Sequence, residues 1–281
     1  MTSPIAVLLL VLFAAILHAC WNALVKIGGD RLLSTAMVAC LSGVVALPLL
    51  PFVVVPAPAS WPFILGSTVV HIGYYYGLSR MYETGDFSQV YPLARGLSPL
   101  FIALGAAFFG GQPLGLWQLI GVSLVSLGIV SLMFGRGWPR GDHGWSVVFA
   151  LFTCSTIVVY TLIDGFGVRR SQSSLGYIVW LFVIDGVPFF ALTWQRRRAE
   201  LLRYVGRHWP AGLGAAAMST LAYGIVIWAM GHSAFAGVAS LRETSVIFAA
   251  AIGSLFMGES FGRWRIAAAV LVAAGNVLIH L

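Results

Sequence analysis

The chain has 281 residues, of which 59% are apolar and 9% charged, with a formal net charge of +7. A soluble domain carries about 25% charged residues, so a globule surrounded by water is excluded. The basic residues lie mainly between apolar runs, where cytoplasmic membrane loops hold them, and this distribution speaks against a nucleic-acid partner.

A bilayer-spanning helix needs about 20 mostly apolar residues. Ten such segments are predicted, at 4–26, 32–55, 61–82, 86–110, 114–134, 144–165, 174–194, 210–231, 235–257 and 264–281. The continuous apolar runs exclude a barrel, whose strands alternate polar and apolar residues. Breaks are expected at Pro51–Pro62, Gly135–Gly144 and Gln195–His208. The fold class is therefore all-α integral membrane, with short connections and no attached soluble domain.

The first segment resembles a signal peptide followed by Cys20, but no Lys or Arg precedes it, so a retained helix is expected. It places His18, Asn22 and Lys26 on one face, with Trp21 beside them. The third segment carries His71, Tyr74, Tyr75 and Tyr76 near mid-span. In the fourth, Ser88, Tyr91, Arg95 and Ser98 share a face, and Pro92 removes a backbone hydrogen bond beside Arg95. The sixth holds Thr156, Tyr160 and Asp164 in the places of the first segment's stripe. These stripes line a cavity or glue helices together; Lys26 and Asp164, near span ends, are expected to snorkel to water. Asp185 in the seventh is an isolated membrane carboxylate and a proton-coupling candidate; the alternative is that it simply stays protonated and bonded. The ninth holds Arg242 and Glu243. Small residues in the fifth (Gly121, Ser123, Ser126, Gly128) and tenth (Ala267 to Gly275) permit close helix approach. A dimer face there stays open, so monomer and homodimer remain alternatives.

A gapless shift of 147 residues superposes one half of the chain on the other. Arg95 falls on Arg242, Tyr76 on Tyr223, Ser98 on Ser245, Phe101 on Phe248, Gly111 on Gly258, Trp117 on Trp264 and Gly128 on Gly275. The chain is predicted to divide into five-helix repeats over 1–137 and 138–281. An odd number of spans per repeat makes the second enter from the opposite side, giving two inverted five-helix repeats with a site between them. A cation at membrane depth costs at least about 2.5–3.5 kcal/mol on insertion scales, so two at related positions point to use. A guanidinium forms a bidentate fork to carboxylate or phosphate. The alternative is that Glu243 pairs with Arg95 or Arg242 as a structural ion pair; both hold if substrate competes with Glu243.

Twelve of the 16 basic residues fall in the odd-to-even loops, against Arg169 and Arg170 on the other side and Arg95 and Arg242 within spans. By the positive-inside rule both termini are predicted non-cytoplasmic, with Arg196 to Arg207 touching anionic lipid at the inner leaflet. Cys20, Cys40 and Cys154 read as free buried thiols without metal-ligand spacing. No Gly-Lys-Ser/Thr loop, His-Glu-x-x-His or Cys-x-x-Cys occurs, so no cofactor is expected.

Ser98-Pro99 through Phe109, Gly111, Gln112, Trp117, Gln118, Gly121 and Gly128, and their partners Val246 through Phe256, Gly258-Glu259, Trp264 and Gly275, resemble the helix-turn-helix signature of the drug/metabolite transporter superfamily, in its ten-helix EamA-type branch. Trp21-Asn22 to Lys26 resembles the family's first helix more loosely. The resemblance implies a secondary transporter of a small molecule in a bacterial inner membrane. Gln112 stands where the family usually has glutamate, and the predicted termini oppose the family's cytoplasmic ones. The first helix lacks the membrane glutamate of the four-helix multidrug relatives.

The expected substrate is a small polar metabolite, anionic or zwitterionic, such as an amino acid, moved by alternating access with a possible coupling ion. Arg95 and Arg242 would anchor it beside Glu243, and Arg95, with no acidic sequence neighbour, is expected to be the freer cation. His18, Trp21, Asn22, His71, Tyr75, Tyr91, Tyr160 and Tyr223 would line the site. The alternatives are a membrane-embedded enzyme using His18 or His71, and a drug or amine exporter of the same fold.

Overall fold

The computed structural model describes residues 3–27, 29–84, 87–134, 144–257 and 262–280. Among the described residues every regular element is helical. The helices are α1 (Pro4–Ile27), α2 (Arg31–Ala46), α3 (Trp61–Thr84), α4 (Phe87–Gly96), α5 (Ser98–Gly110), α6 (Leu116–Ser131), α7 (Gly144–Arg170), α8 (Ser174–His232), α9 (Phe235–Glu243), α10 (Ser245–Met257) and α11 (Arg263–Ile279). Short 3-10 turns occupy Leu47–Phe52, Pro58–Ser60 and Leu132–Phe134, so the proline-rich break is a pair of tight turns. The expected break at Gly135–Gly144 lies, but for Gly144, outside the described residues.

Among the described residues, six segments are long and apolar enough to cross a membrane: Pro4–Val25, Leu32–Phe52, Val90–Gly110, Leu116–Phe134, Gly144–Arg170 and Ser174–His232. Trp264–Ile279 is a shorter apolar helix. The outer faces are apolar, with Phe108 85% and Trp145 69% exposed. Such faces suit hydrocarbon and its interfacial aromatic belts.

The predicted segments 174–194 and 210–231 lie on one 59-residue helix, α8. A straight helix of that length would span about 90 Å, roughly three times the hydrocarbon core. It is not straight. Arg197 leaves the helical region, at φ −136° and ψ 38°, and the chain folds back there. Ile178 and Ile227 share one core cluster, and a Cβ added to Gly224 would stand 3.2 Å from Ile178 Cγ2. Arg197 is held at the bend by Asp30 Oδ2 at 2.8 Å and by Glu200. Asp30 also caps α2, accepting from Leu33 N at 3.0 Å.

The predicted segments 86–110 and 235–257 differ from expectation in the opposite sense: each is two helices. The breaks fall at Leu97 and at Thr244, two residues beyond Arg95 and Arg242. In the first, Pro99 has no N–H for the Arg95 carbonyl. In the second, the Thr244 hydroxyl donates back to the Leu241 carbonyl at 2.6 Å, a local bond that competes with the helical ladder.

Packing follows small residues. In α1, Val7, Val11 and Ala14 meet Ala222, Val226 and Ala229 of the returning arm of α8. In α2, a Cβ on Gly43 would stand 3.2 Å from the Phe182 carbonyl oxygen. The stripes of α6 and α11 pack on each other within the chain. A Cβ on Gly121 would lie 2.6 Å from the Gly275 carbonyl oxygen, and one on Gly128 would lie 3.2 Å from that of Ala268. As the number rises on α6 it falls on α11, so the two helices are antiparallel.

Arg169 closes the far end of α8. Its Nε donates to the Met230 carbonyl at 2.9 Å and Nη2 to that of Ser233 at 2.7 Å, satisfying carbonyls the helix end leaves open.

Candidate functional site

The first helix break brings Arg95 to the centre of the bundle, and the second brings Arg242 and Glu243 opposite it. Arg95 Nε donates to Glu243 Oε2 at 3.1 Å, and Arg242 Nε to Glu243 Oε1 at 3.1 Å. Arg242 Nη1 also reaches Thr161 Oγ1 on α7 at 3.4 Å. Glu243 is wholly buried and both arginines nearly so. One carboxylate between two guanidiniums leaves the cluster at net +1.

The expectation that Arg95 is the freer cation is corrected here. Sequence adjacency tied Glu243 to Arg242, but the carboxylate spans both, one oxygen to each. Each arginine nevertheless keeps an Nη2 without a hydrogen-bond partner. That of Arg242 lies 3.1 Å from Glu243 Oε1, close enough for attraction but without hydrogen-bond geometry. Both arginines line a central chamber of about 80 Å³.

The chamber brings together most of the predicted residues. His18, Trp21, His71, Tyr75, Tyr160, Tyr223 and Asp185 all line it with Arg95 and Arg242. Three predicted residues do not. Asn22 turns its amide back to the His18 carbonyl at 2.7 Å. Tyr91 packs against the cluster containing Ala103, Val122 and Val125. Glu243 stands behind the arginines. Ser98 bonds the Ala94 carbonyl at 2.9 Å. The side chains of Lys26 and Ser88 lie outside the described residues.

The walls are aromatic and their hydrogen bonds fix several orientations. The Trp21 indole N–H donates to His18 Nδ1 at 3.3 Å. His18 Nδ1 is then an acceptor, and a neutral ring carries its proton on Nε2. His71 stacks on Tyr160 at 4.2 Å between ring centres. Its Nδ1 lies 3.0 Å from the Ser67 carbonyl oxygen, which only accepts, so Nδ1 carries a proton. Asp185 Oδ1 is 3.5 Å from that nitrogen and has no hydrogen-bond partner.

Sequence reasoning misplaced Asp164. Expected to snorkel, it is wholly buried. It accepts from the Tyr177 hydroxyl at 3.0 Å and the Tyr223 hydroxyl at 2.7 Å. Gly167 makes this possible, because a Cβ there would stand 2.5 Å from the Tyr177 hydroxyl. Tyr74, named with the aromatics of the third segment, lines the chamber too, as do Thr35, Ser42 and Ser219, which were unforeseen. Tyr74 carried a signal, lying one helical turn from His71; the hydroxyls of α2 and α8 carried none.

Thr35 and Tyr75 line a second cavity as well, of about 380 Å³, with Asp30, Glu83, Phe189 and Arg197. They stand between the chamber and this vestibule, and Tyr75 is packed against Phe189 at 4.5 Å between ring centres. Gln112 is explained by structure. Its Oε1 accepts from Phe235 N at 3.0 Å, capping the start of α9. No cluster of metal-ligating side chains occurs among the described residues.

Apolar outer faces and broken helices around a buried polar chamber define a multi-pass integral membrane protein. Residues 144–281 match the model of the EamA-like transporter family. That family is part of the drug/metabolite transporter superfamily, and its members carry small molecules across membranes. A solved structure described only as the crystal structure of a protein superposes with a TM-score of 0.78 over 98% of each chain, at 17% identity, and shows the fold alone. No curated protein sequence matches the chain.

Proposed function

We propose that the protein is a secondary transporter of a small anionic or zwitterionic metabolite, of amino-acid type, anchored by Arg95 and Arg242. The observation that carries this is the net positive Arg95–Glu243–Arg242 cluster, in which each arginine keeps an Nη2 without a hydrogen-bond partner on residues of the chamber wall. Burying that charge is costly unless something pairs with it. A carboxylate or phosphate reaching the chamber supplies the missing acceptors, in competition with Glu243. A cationic drug or amine meets repulsion there instead.

Ten spans in two inverted repeats, 1–137 and 138–281, are the architecture we infer. Three observations support it. The reversal of α8 at Arg197 divides it into two arms of membrane-spanning length. The breaks at Leu97 and Thr244 coincide under the 147-residue shift. The contacts of α6 and α11 are reciprocal: Gly121 meets Gly275, the mate of Gly128, and Gly128 meets Ala268, the mate of Gly121. Antiparallel helices exchanged by a two-fold have that axis across them, in the membrane plane. The chamber has room for a handful of water molecules, so admitting a metabolite requires the walls to part, as repeats rocking on each other would do.

From the Lys/Arg bias we infer that the Arg197 bend faces the cytoplasm and both termini face outside, in a bacterial inner membrane. Arg169, one of the two basic residues against the bias, has a structural reason for its position in closing α8.

Uptake of a radiolabelled amino-acid mixture into proteoliposomes tests the anchor. Arg95→Lys keeps the charge and loses the planar fork. Losing a charged hydrogen bond of about 1.5–3 kcal/mol predicts a KM about 10- to 100-fold higher, with unchanged expression. A wild-type KM in both Arg95→Lys and Arg242→Lys overturns the anchor.

A further inference from the structure

Asp185 is used by nothing described so far. It sits on the first arm of α8, buried, with Oδ1 unpaired, facing the chamber from a wall that does not carry the arginines. His71 Nδ1 is 3.5 Å away, already sharing its proton with Ser67. As a carboxylate Asp185 holds a buried charge with one oxygen lacking a hydrogen-bond partner, whereas as a carboxylic acid it is neutral. The vestibule ends at Tyr75 and Thr35, which also line the chamber, so a short aromatic partition separates Asp185 from a polar, wider cavity.

We propose that Asp185 and His71 form a carrier for one exchangeable proton, and that this proton drives uptake of the anionic solute through the same chamber. The inference rests on the transport reading above. In the unloaded pair Asp185 is a carboxylate and His71 is neutral, protonated on Nδ1. Loading adds one proton to Asp185 Oδ1, beside the neutral His71 ring, and release removes it; no other bond forms or breaks.

Coupling follows from charge. Several ionisable groups line the same chamber: His18 on α1, Tyr74 and Tyr75 on α3, Tyr160 on α7 and Tyr223 on α8. Cys40 lies on α2 where Gly186 packs, and Asp164 sits behind Tyr223. Arg95 and Arg242 are the chamber's cations. Their charge opposes proton uptake by the pair until an anion occupies them. The proton in turn raises the chamber's charge by one and strengthens its hold on an anion. Each favours the other by the same factor, which is the requirement for symport.

Two measurements test this. Infrared difference spectra of the purified protein in lipid, between acid and alkaline pH and without solute, are expected to show a protonated-carboxyl stretch that Asp185→Asn removes. Identical spectra from both proteins overturn the proposal. In proteoliposomes, a one-unit inward proton gradient should accumulate labelled amino acids up to about tenfold for one proton per solute. Asp185→Asn should lose that accumulation, so that its ratio to solute exchange falls to the value without a gradient. A wild type indifferent to the gradient overturns the coupling. So does an Asp185→Asn protein that has lost exchange as fully as accumulation, because Asp185 then holds the solute. A wild type that moves no amino acid in either assay counts against the transport reading, and the infrared result alone then decides the proton site.

Discussion

Two wholly buried carboxylates of this molecule, Glu243 and Asp164, are each bridged by two donors. Glu243 lies between Arg95 and Arg242, and Asp164 between Tyr177 and Tyr223. The tyrosine-bonded carboxylate uses one oxygen for each hydroxyl and leaves no atom unpaired. The arginine-bonded one leaves on each partner a nitrogen without a hydrogen bond. A satisfied buried network fixes geometry, and an unsatisfied one marks a place where something binds. The first ties α7 to both arms of α8; the second borders the chamber.

The largest expected effect comes from removing the carboxylate between cations. Glu243→Ala leaves two buried guanidiniums uncompensated, a loss of about 3–5 kcal/mol. Size-exclusion profiles and thermal unfolding in detergent should show a protein that barely folds. A Glu243→Ala protein with a wild-type unfolding midpoint would erase the contrast between the clusters.

A smaller effect is expected at the other carboxylate. Tyr177→Phe removes one hydrogen bond and keeps the ring that fills the space over Gly167. The expected loss is about 1 kcal/mol, read as a small drop in unfolding midpoint with KM unchanged. A KM shift without a stability change would move Asp164 from the structural group to the functional one.

How far these clusters could be read in advance divides along the same line. The repeat exposed Arg95 and Arg242 because two cations in apolar sequence are costly and coincide under one shift. Helical spacing exposed His18, His71, Tyr75 and Tyr160, since local periodicity survives into the fold. Asp164 was misread because its partners lie 13 and 59 residues away, and no local pattern foretells a contact across two helices. Glu243 was read as the partner of Arg95 or of Arg242, and it bonds both. The breaks at Leu97 and Thr244 were hidden because their residues stay apolar or small across the gap. The turn in α8 showed only as a basic stretch. Its bend at a single residue depends on Asp30, 167 positions away.

That bend provides the smallest expected effect and a boundary for the comparison. Arg197 binds Asp30 and Glu200 at the surface, with about half of the Glu200 side chain exposed, and exposed pairs contribute little. The guanidinium hydrogen-bonded to Glu200 holds that carboxyl below the usual glutamate range. A depressed carboxyl stabilises the fold when ionised, so the contribution is present at neutral pH and fades as the pH falls through and below that range. Arg197→Ala should therefore lower the unfolding midpoint slightly at neutral pH, and the gap to wild type should close on acidification. Substituting Glu243 should behave differently. Its cluster is shielded from water, so its large loss should persist at neutral pH in high salt, whereas the Arg197→Ala gap should shrink there. Equal salt sensitivity at the two sites would mean that water reaches Glu243, and the closed chamber would have to be abandoned.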